Sequence, residues 1–150
     1  MSYYLTEYQR YKNLLGATVA ATDDTVETAS MDMVGEDGGY LRAVFLVRMG
    51  TLTAGGTTVI DVQQSADDST FATLAAPTLS PVHTTGSDKL FVLEVNKPTD
   101  RYVRLQFTRA DENAEIDSVI GIRADGREGV ITQADASTVF SAVATTPAEE

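Results

Sequence analysis

Residues 57–74, TTVIDVQQSADDSTFATL, decide the fold class. Val59, Ile60 and Val62 are β-branched and suit a pleated sheet. Asp67, Asp68 and Ser69 then supply turn chemistry, and Phe71 restarts an apolar segment. The stretch reads as a strand, a polar turn and a returning strand.

The same grammar extends outward in both directions. Upstream, residues 40–49 (YLRAVFLVRM) are nearly continuous in apolar side chains but carry Arg42 and Arg48 on one face, which suits a central strand with polar ends. Turns flank this strand at Glu36, Asp37, Gly38 and Gly39 and at residues 51–56, where Gly55 and Gly56 permit positive φ. Residues 17–34 hold two candidate strands separated by Thr22, Asp23 and Asp24. Downstream, residues 75–88 contain Pro77, Pro81, His83 and Gly86 and read as a long surface loop. Residues 89–96 (KLFVLEVN) form a strand, 97–100 (KPTD) a tight connection, and 101–109 (RYVRLQFTR) another strand. In the latter, Val103, Leu105 and Phe107 alternate with Tyr102, Arg104, Gln106 and Thr108, so one face is buried and the other meets solvent or a neighbour. Residues 114–124 place Ile116, Ile120 and Ile122 on one face, and Val130 and Ile131 suggest a short last strand. About seven to nine short strands with regular turn signals predict an all-β fold, an antiparallel β-sandwich of jelly-roll-like form in a single domain. It spans residues 17–132, between an N-terminal arm at 1–16 and a C-terminal tail at 133–150 that is rich in Ser, Thr and Ala.

The arm, MSYYLTEYQRYKNLLG, holds four of the six tyrosines. As a helix ended by Gly16, it would align Tyr4, Tyr8, Tyr11 and Leu15 on one face. So short an amphipathic segment needs something to pack on, either its own domain or another chain. Tyrosine joins a large apolar area to a polar tip and is enriched in interfaces, which makes Tyr3, Tyr4, Leu5, Tyr8, Tyr11 and Leu15 the candidate partner-binding residues. Deletion of residues 1–15 is expected to leave the sandwich folded.

Composition narrows the chemistry. The 150 residues include 22 acidic and 11 basic side chains, a net charge of -11 that repels polyanions, and the basic residues are dispersed, so nucleic acid is not an expected partner. Without cysteine there is no thiol catalysis, thiolate metal site or disulfide. No run of 18 apolar residues suggests a membrane helix, and residues 1–16 lack the apolar run of a signal peptide, so a soluble protein without an export address or membrane partner is expected. The sole histidine, His83, has no nucleophile motif such as G-x-S-x-G beside it. The acidic pairs Asp23–Asp24, Asp67–Asp68 and Asp111–Glu112 each fall in a turn, and none has calcium-loop spacing. There is no tryptophan for a sugar platform, and no helix follows Gly38–Gly39 or Gly55–Gly56 to hold a phosphate. No catalytic, cofactor or metal site is expected.

The order of the pieces carries one further signal. Gln64, Ser65, Asp67 (or Asp68) and Phe71, followed by K-P-T-x-R-Y-V-R at residues 97–104, resemble a group of small structural proteins of tailed bacteriophages, over residues 16–132. The resemblance implies a capsid decoration, or cement, protein. Such a protein is made in the host cytoplasm, sits on the outer surface of the virion head as a homotrimer, and stabilises the shell by bridging copies of the major capsid protein. Two other roles stay open: a glycan- or receptor-binding module of a phage fibre, which would gather aromatic residues in its loops, and a head-completion or tail protein, which would form a ring.

Overall fold

The computed structural model describes residues 9–21, 23–35 and 39–126. Tyr3, Tyr4, Leu5 and Tyr8, the turn at Glu36 to Gly38, the suggested strand at Val130 and Ile131, and the C-terminal tail lie outside the described residues. In chain order the strands are β1 (Arg10–Leu15), β2 (Thr18–Ala21), β3 (Asp24–Glu27), β4 (Met31–Asp32), β5 (Tyr40–Leu52), β6 (Thr57–Ser65) and β7 (Ala72–Leu79). One helical turn, α1 (His83–Gly86), then leads to β8 (Leu90–Asn96), β9 (Tyr102–Ala110) and β10 (Ala114–Gly126).

The strands form two five-stranded antiparallel sheets. The first runs β1-β10-β5-β8, with β2 continuing beside β1 on β10. The second runs β3-β9-β6-β7, with β4 continuing beside β3 on β9. Taken as one interrupted strand each, β1 with β2 and β3 with β4 reduce the set to eight, and the pairing then nests: first with last, second with seventh, third with sixth, fourth with fifth. A long hairpin rolled on itself has this topology, and it is the jelly-roll form of the all-β sandwich.

Alternation decides which side chains the two sheets share. In β9, Val103, Leu105 and Phe107 are fully buried, and their neighbours face outward. They meet Phe45, Val47 and Met49 of β5, Ile60 and Val62 of β6, and Leu93 of β8 in one continuous core. Each such side chain contributes about 1.5–3 kcal/mol on burial.

Three segments depart from their sequence reading. The helical option for the arm, which would set Tyr11 and Leu15 on one face, gives way to β1, which pairs with β10 from Arg10↔Arg123 to Leu15↔Val119. A register shift between Asn13 and Leu15 puts Leu14 in the core at 4% exposure and packs Leu15 partly against it. That bulge hides the alternation that would have marked RYKNLL as a strand. Deleting residues 1–15 would therefore strip an edge strand and a core leucine, so the sandwich is not expected to survive that truncation.

The second departure is β7, which runs through part of the region read as loop. Gln63 pairs with Thr73 and Asp61 with Thr78, so residues 74–77 bulge from the ladder opposite Val62. Pro77 lies in this bulge on an edge strand, where a missing N–H leaves no ladder bond unmade. The third is in β10. Register shifts on either side of Ile116 change the inward parity, so Ile116 and Val119 are both fully buried while Ile120 is 39% exposed and Ile122 also turns outward. The next inward position is Gly121, where a Cβ would collide with Met31 Sδ and lie 2.7 Å from Leu14 Cδ1.

An ion pair with a buried arginine and a half-buried aspartate ties the sheets together at one end. Arg109, 2% exposed, points inward from β9, and its Nε and Nη2 donate to Asp24 Oδ1 and Oδ2 at 2.6 Å each. Its Nη1 donates to the Ala114 carbonyl at 2.6 Å, so β3, β9 and the start of β10 share one guanidinium. Removing the carboxylate strands a buried cation. Asp24→Ala is expected to lower the unfolding free energy by about 3 kcal/mol in urea titration, and Asp24→Leu combined with Arg109→Met to recover most of that loss. Gly121→Ala is expected to cost about 1–3 kcal/mol by overpacking, relieved when Met31 is shortened to Ala.

Candidate functional site

The outer faces of the two sheets differ in chemistry. On the β3-β9-β6-β7 sheet the outward side chains bond one another across the strands. Arg104 donates from Nη2 to Glu27 Oε1 (2.7 Å) and from Nε to Gln63 Oε1 (2.9 Å), while Gln63 Nε2 donates to Thr73 Oγ1 (3.3 Å). Gln106 Nε2 adds a bond to Glu27, and Thr78 Oγ1 donates to Asp61 Oδ1 at 2.6 Å. The Arg104 guanidinium also lies 3.8 Å from the centre of the Phe71 ring. This face satisfies its own polar groups.

The outer face of the β1-β10-β5-β8 sheet is apolar at its centre. Ile120, Leu46 and Val92 stand side by side across β10, β5 and β8, and in the adjoining row Ile122 and Val44 follow Tyr11 of β1. Leu90 and Val92 are 58% and 56% exposed. Ion pairs frame this centre: Arg42–Glu94 at one end (3.1 Å), and at the other Arg48–Asp117 (3.6 Å), with Arg48 Nη1 also donating to the Asp88 carbonyl. An apolar centre inside a polar rim is the anatomy of a protein-binding surface. Of the sequence-derived candidates, Tyr11 belongs to this face and Leu15 to the core side of β1. The Tyr11 hydroxyl donates to Gln9 Oε1 at 2.7 Å, and burial holds the phenol above its usual pKa.

The face itself has no counterpart in the sequence reading. Its signal was present in KLFVLEVN: Phe91, Leu93 and Val95 turn toward the core, so Leu90 and Val92 make β8 apolar on both faces. Recognising them as exposed required knowing that β8 is an edge strand with no layer above it among the described residues.

The ionisable groups singled out by sequence serve the backbone. Each acidic pair provides one Asp at positive φ: Asp23 (51°), Asp68 (61°) and Asp111 (72°). Asp67 Oδ1 accepts from the amides of Ser69 and Thr70 and from the Ser65 hydroxyl, which drives its pKa well below the usual carboxylate range. His83 Nδ1 lies 2.6 Å from the Leu52 carbonyl. Among the described residues no three acidic or histidine side chains converge as metal ligands. An open cleft of about 420 Å³ lies between Met33–Val34, Gly39–Tyr40 and the 98–101 connection. Its cation, Arg101, is held by Asp32 through Nε (2.9 Å) and Nη2 (2.8 Å).

No family model and no curated protein matches the chain. Among solved structures it is similar to the PBSX exported protein XepA, with a TM-score of 0.56 and 10% identity over 89% of this chain and 43% of that one. The chain thus spans less than half the length of XepA. It also aligns with infectious bursal disease virus, Gt strain (TM-score 0.42, 11% identity, 81% of this chain and 30% of that one). A third alignment is with Eiger TNF from S. frugiperda (TM-score 0.30, 14% identity, 85% of this chain and 99% of that one). The likeness to XepA shows a shared fold.

The Asp32–Arg101 pair makes a pH prediction. The hydrogen bond from Arg101, aided by the amides of Gly35 and Val34, lowers the Asp32 carboxyl to about 2 from an ordinary 3.8. A depressed folded-state pKa contributes stability that is complete above the unfolded value and is lost as pH falls through the folded one. Stability is therefore expected to decline through this group between about pH 4 and pH 2. Arg101→Ala should move the Asp32 titration, followed by carboxyl-carbon NMR, upward toward its ordinary value and flatten that decline.

Proposed function

We propose that this chain is a structural protein of a tailed-bacteriophage particle that decorates the outside of the head and cements it. The observation that carries the proposal is the asymmetry of the sandwich: among the described residues one outer face is self-satisfied and polar, and the other presents an apolar centre suited to another protein surface. Support also comes from the fold, since jelly rolls are used in viral capsid domains, and from the resemblance of the 64–71 and 97–104 motifs to phage structural proteins. The net charge of -11 keeps such a protein off packaged DNA.

The mechanism is added contact. Each bound copy stabilises the assembled shell over the dissociated one by its own binding free energy, and many weak contacts on one lattice sum to a large effect. The partners are the major capsid protein and further copies of the chain, associated as a homotrimer. Tyr3, Tyr4, Leu5 and Tyr8 directly precede β1, which carries Tyr11 at the margin of the apolar face, and this aromatic arm contacts the shell. A glycan-binding module would gather aromatics in its loops; among the described loop residues the aromatic is Phe71, already engaged by Arg104.

Adding the purified chain to heads that lack it is expected to give saturable co-sedimentation and a higher temperature of head disruption. A variant lacking residues 1–8 keeps β1 and should remain folded by circular dichroism, yet bind at least about tenfold more weakly, a loss of roughly 1.4 kcal/mol. Unchanged affinity of the truncated chain would remove the arm from the mechanism, and no binding by the full chain would overturn the proposed function.

A further inference from the structure

We infer that residues 137–144, STVFSAVA, return to the first sheet and close the edge of β8 as an added antiparallel strand. The inference goes beyond the proposed role on the head and does not depend on it.

The four sheet edges differ in how they are protected. Three are interrupted: β1 shifts register between Asn13 and Leu15, β3 gives way to β4 after Glu27, and β7 carries Pro77 in its bulge. Such breaks keep an edge from pairing with another chain. β8 has none, and pairs with β5 from Arg42↔Asn96 to Arg48↔Leu90 without a register shift. Met49 N donates to the Lys89 carbonyl and Lys97 N to the Leu41 carbonyl, so antiparallel alternation aims the backbone groups of Phe91, Leu93 and Val95 at β5 as well. The amides and carbonyls of Leu90, Val92, Glu94 and Asn96 then point away from β5, along an edge that no other strand among the described residues pairs with. Such a straight row of donors and acceptors is a template for one more strand.

Reach and direction select the occupant. β10 ends at Gly126 opposite Tyr40, at the same end of the sheet as the end of β8, where Asn96 stands opposite Arg42. From there the open side of β8 is three strand spacings away, about 14 Å, or roughly four to five residues of extended chain. Val130 and Ile131 are therefore consumed by the crossing, whereas residues 127–136 span it with slack and deliver 137–144 to the C-terminal end of β8, to run back along it. Thr138, Val139, Phe140 and Val143 suit a strand. With Thr138 opposite Asn96, Val139 and Val143 turn to the core side beside Val95 and Phe91, and Ala142 meets Val92.

Charge agrees with this direction. β8 lies between Lys89 and Lys97, and the segment lies between Asp135 and Glu149 with no ionisable side chain in between. Antiparallel pairing sets Asp135 toward Lys97 and Glu149 toward Lys89. Pairing with β8 of a second copy, centred on Leu93, would instead set Lys89 opposite Lys97 at both ends. Attachment to the same chain also gives the segment an effective concentration on the order of millimolar, ahead of a dilute second copy.

Amide hydrogen exchange followed by NMR reads the edge residue by residue. In the full chain the amides of Val92, Glu94 and Asn96 should exchange at least about tenfold more slowly than in a variant ending at residue 136. Those of Phe91, Leu93 and Val95, bonded to β5, should stay protected in both and report that the fold survives. Because the chain has no cysteine, Val92→Cys combined with Ala142→Cys introduces two thiols, and mild oxidation of a dilute solution should give a disulfide within one chain. Edge amides that exchange equally fast with and without the segment overturn the inference, as do edge amides equally slow in both, which mean a different occupant. Protection that rises with protein concentration, or disulfides formed between copies alone, would assign the edge to a second copy and overturn it too. Should the shortened chain lose protection at Phe91, Leu93 and Val95, the disulfide in the full chain decides.

Discussion

A sandwich has four sheet faces and can bury only two of them against each other, so any further apolar face must be covered by something outside the fold. In this protein the two inner faces are fully used: Phe45, Val47, Ile60, Leu105 and Phe107 are all inaccessible to solvent. The outer face of the β3-β9-β6-β7 sheet closes on itself through Arg104, Glu27 and Gln63. The outer face of the β1-β10-β5-β8 sheet does not, and the proposed biology follows from that inequality.

Parity along β10 creates the inequality. Had the strand kept strict alternation, Ile120 and Ile122 would share the core with Ile116. The register shifts around Ile116 instead send Val119 and Gly121 inward and both isoleucines outward, beside Leu46 and Val44. The lost core volume at Gly121 is occupied by Met31 and Leu14, delivered by β4 and β1. The bulge thus moves two isoleucines from a position that stabilises the monomer to one that offers contact area to a partner. Part of the acidity, meanwhile, is tied to local structure: Asp23, Asp68 and Asp111 take left-handed turn conformations, Asp67 caps the loop between β6 and β7, and Asp24 neutralises Arg109.

Where local chemistry and tertiary packing agree, the sequence was readable. The strand, turn and strand at residues 57–74, the alternation of Val103, Leu105 and Phe107, the apolar run of β5 and the turns at Asp23, Asp67–Asp68 and Asp111 reappear, because each depends on side-chain period and φ preference alone. What escaped depends on neighbours. The tyrosine spacing of the arm fits a helix, yet the edge of β10 offers Arg10–Leu15 a ladder of backbone bonds, and Leu14 a place in the core. Pro77 signals a loop, yet on the outermost strand of its sheet it is tolerated within a bulge. The candidate surface was the least legible of all, since an apolar residue on an edge strand looks the same in sequence whether a second layer covers it or not.

Cryo-electron microscopy of heads bearing this protein tests the central claim most directly. The account predicts sandwich density on the outer surface, with the sheet containing Leu46, Val92 and Ile120 packed against a neighbouring protein of the particle and the sheet containing Arg104 and Gln106 facing solvent. Heads without such density, or bound copies whose apolar sheet is left open to water while the polar one makes the contacts, would contradict it.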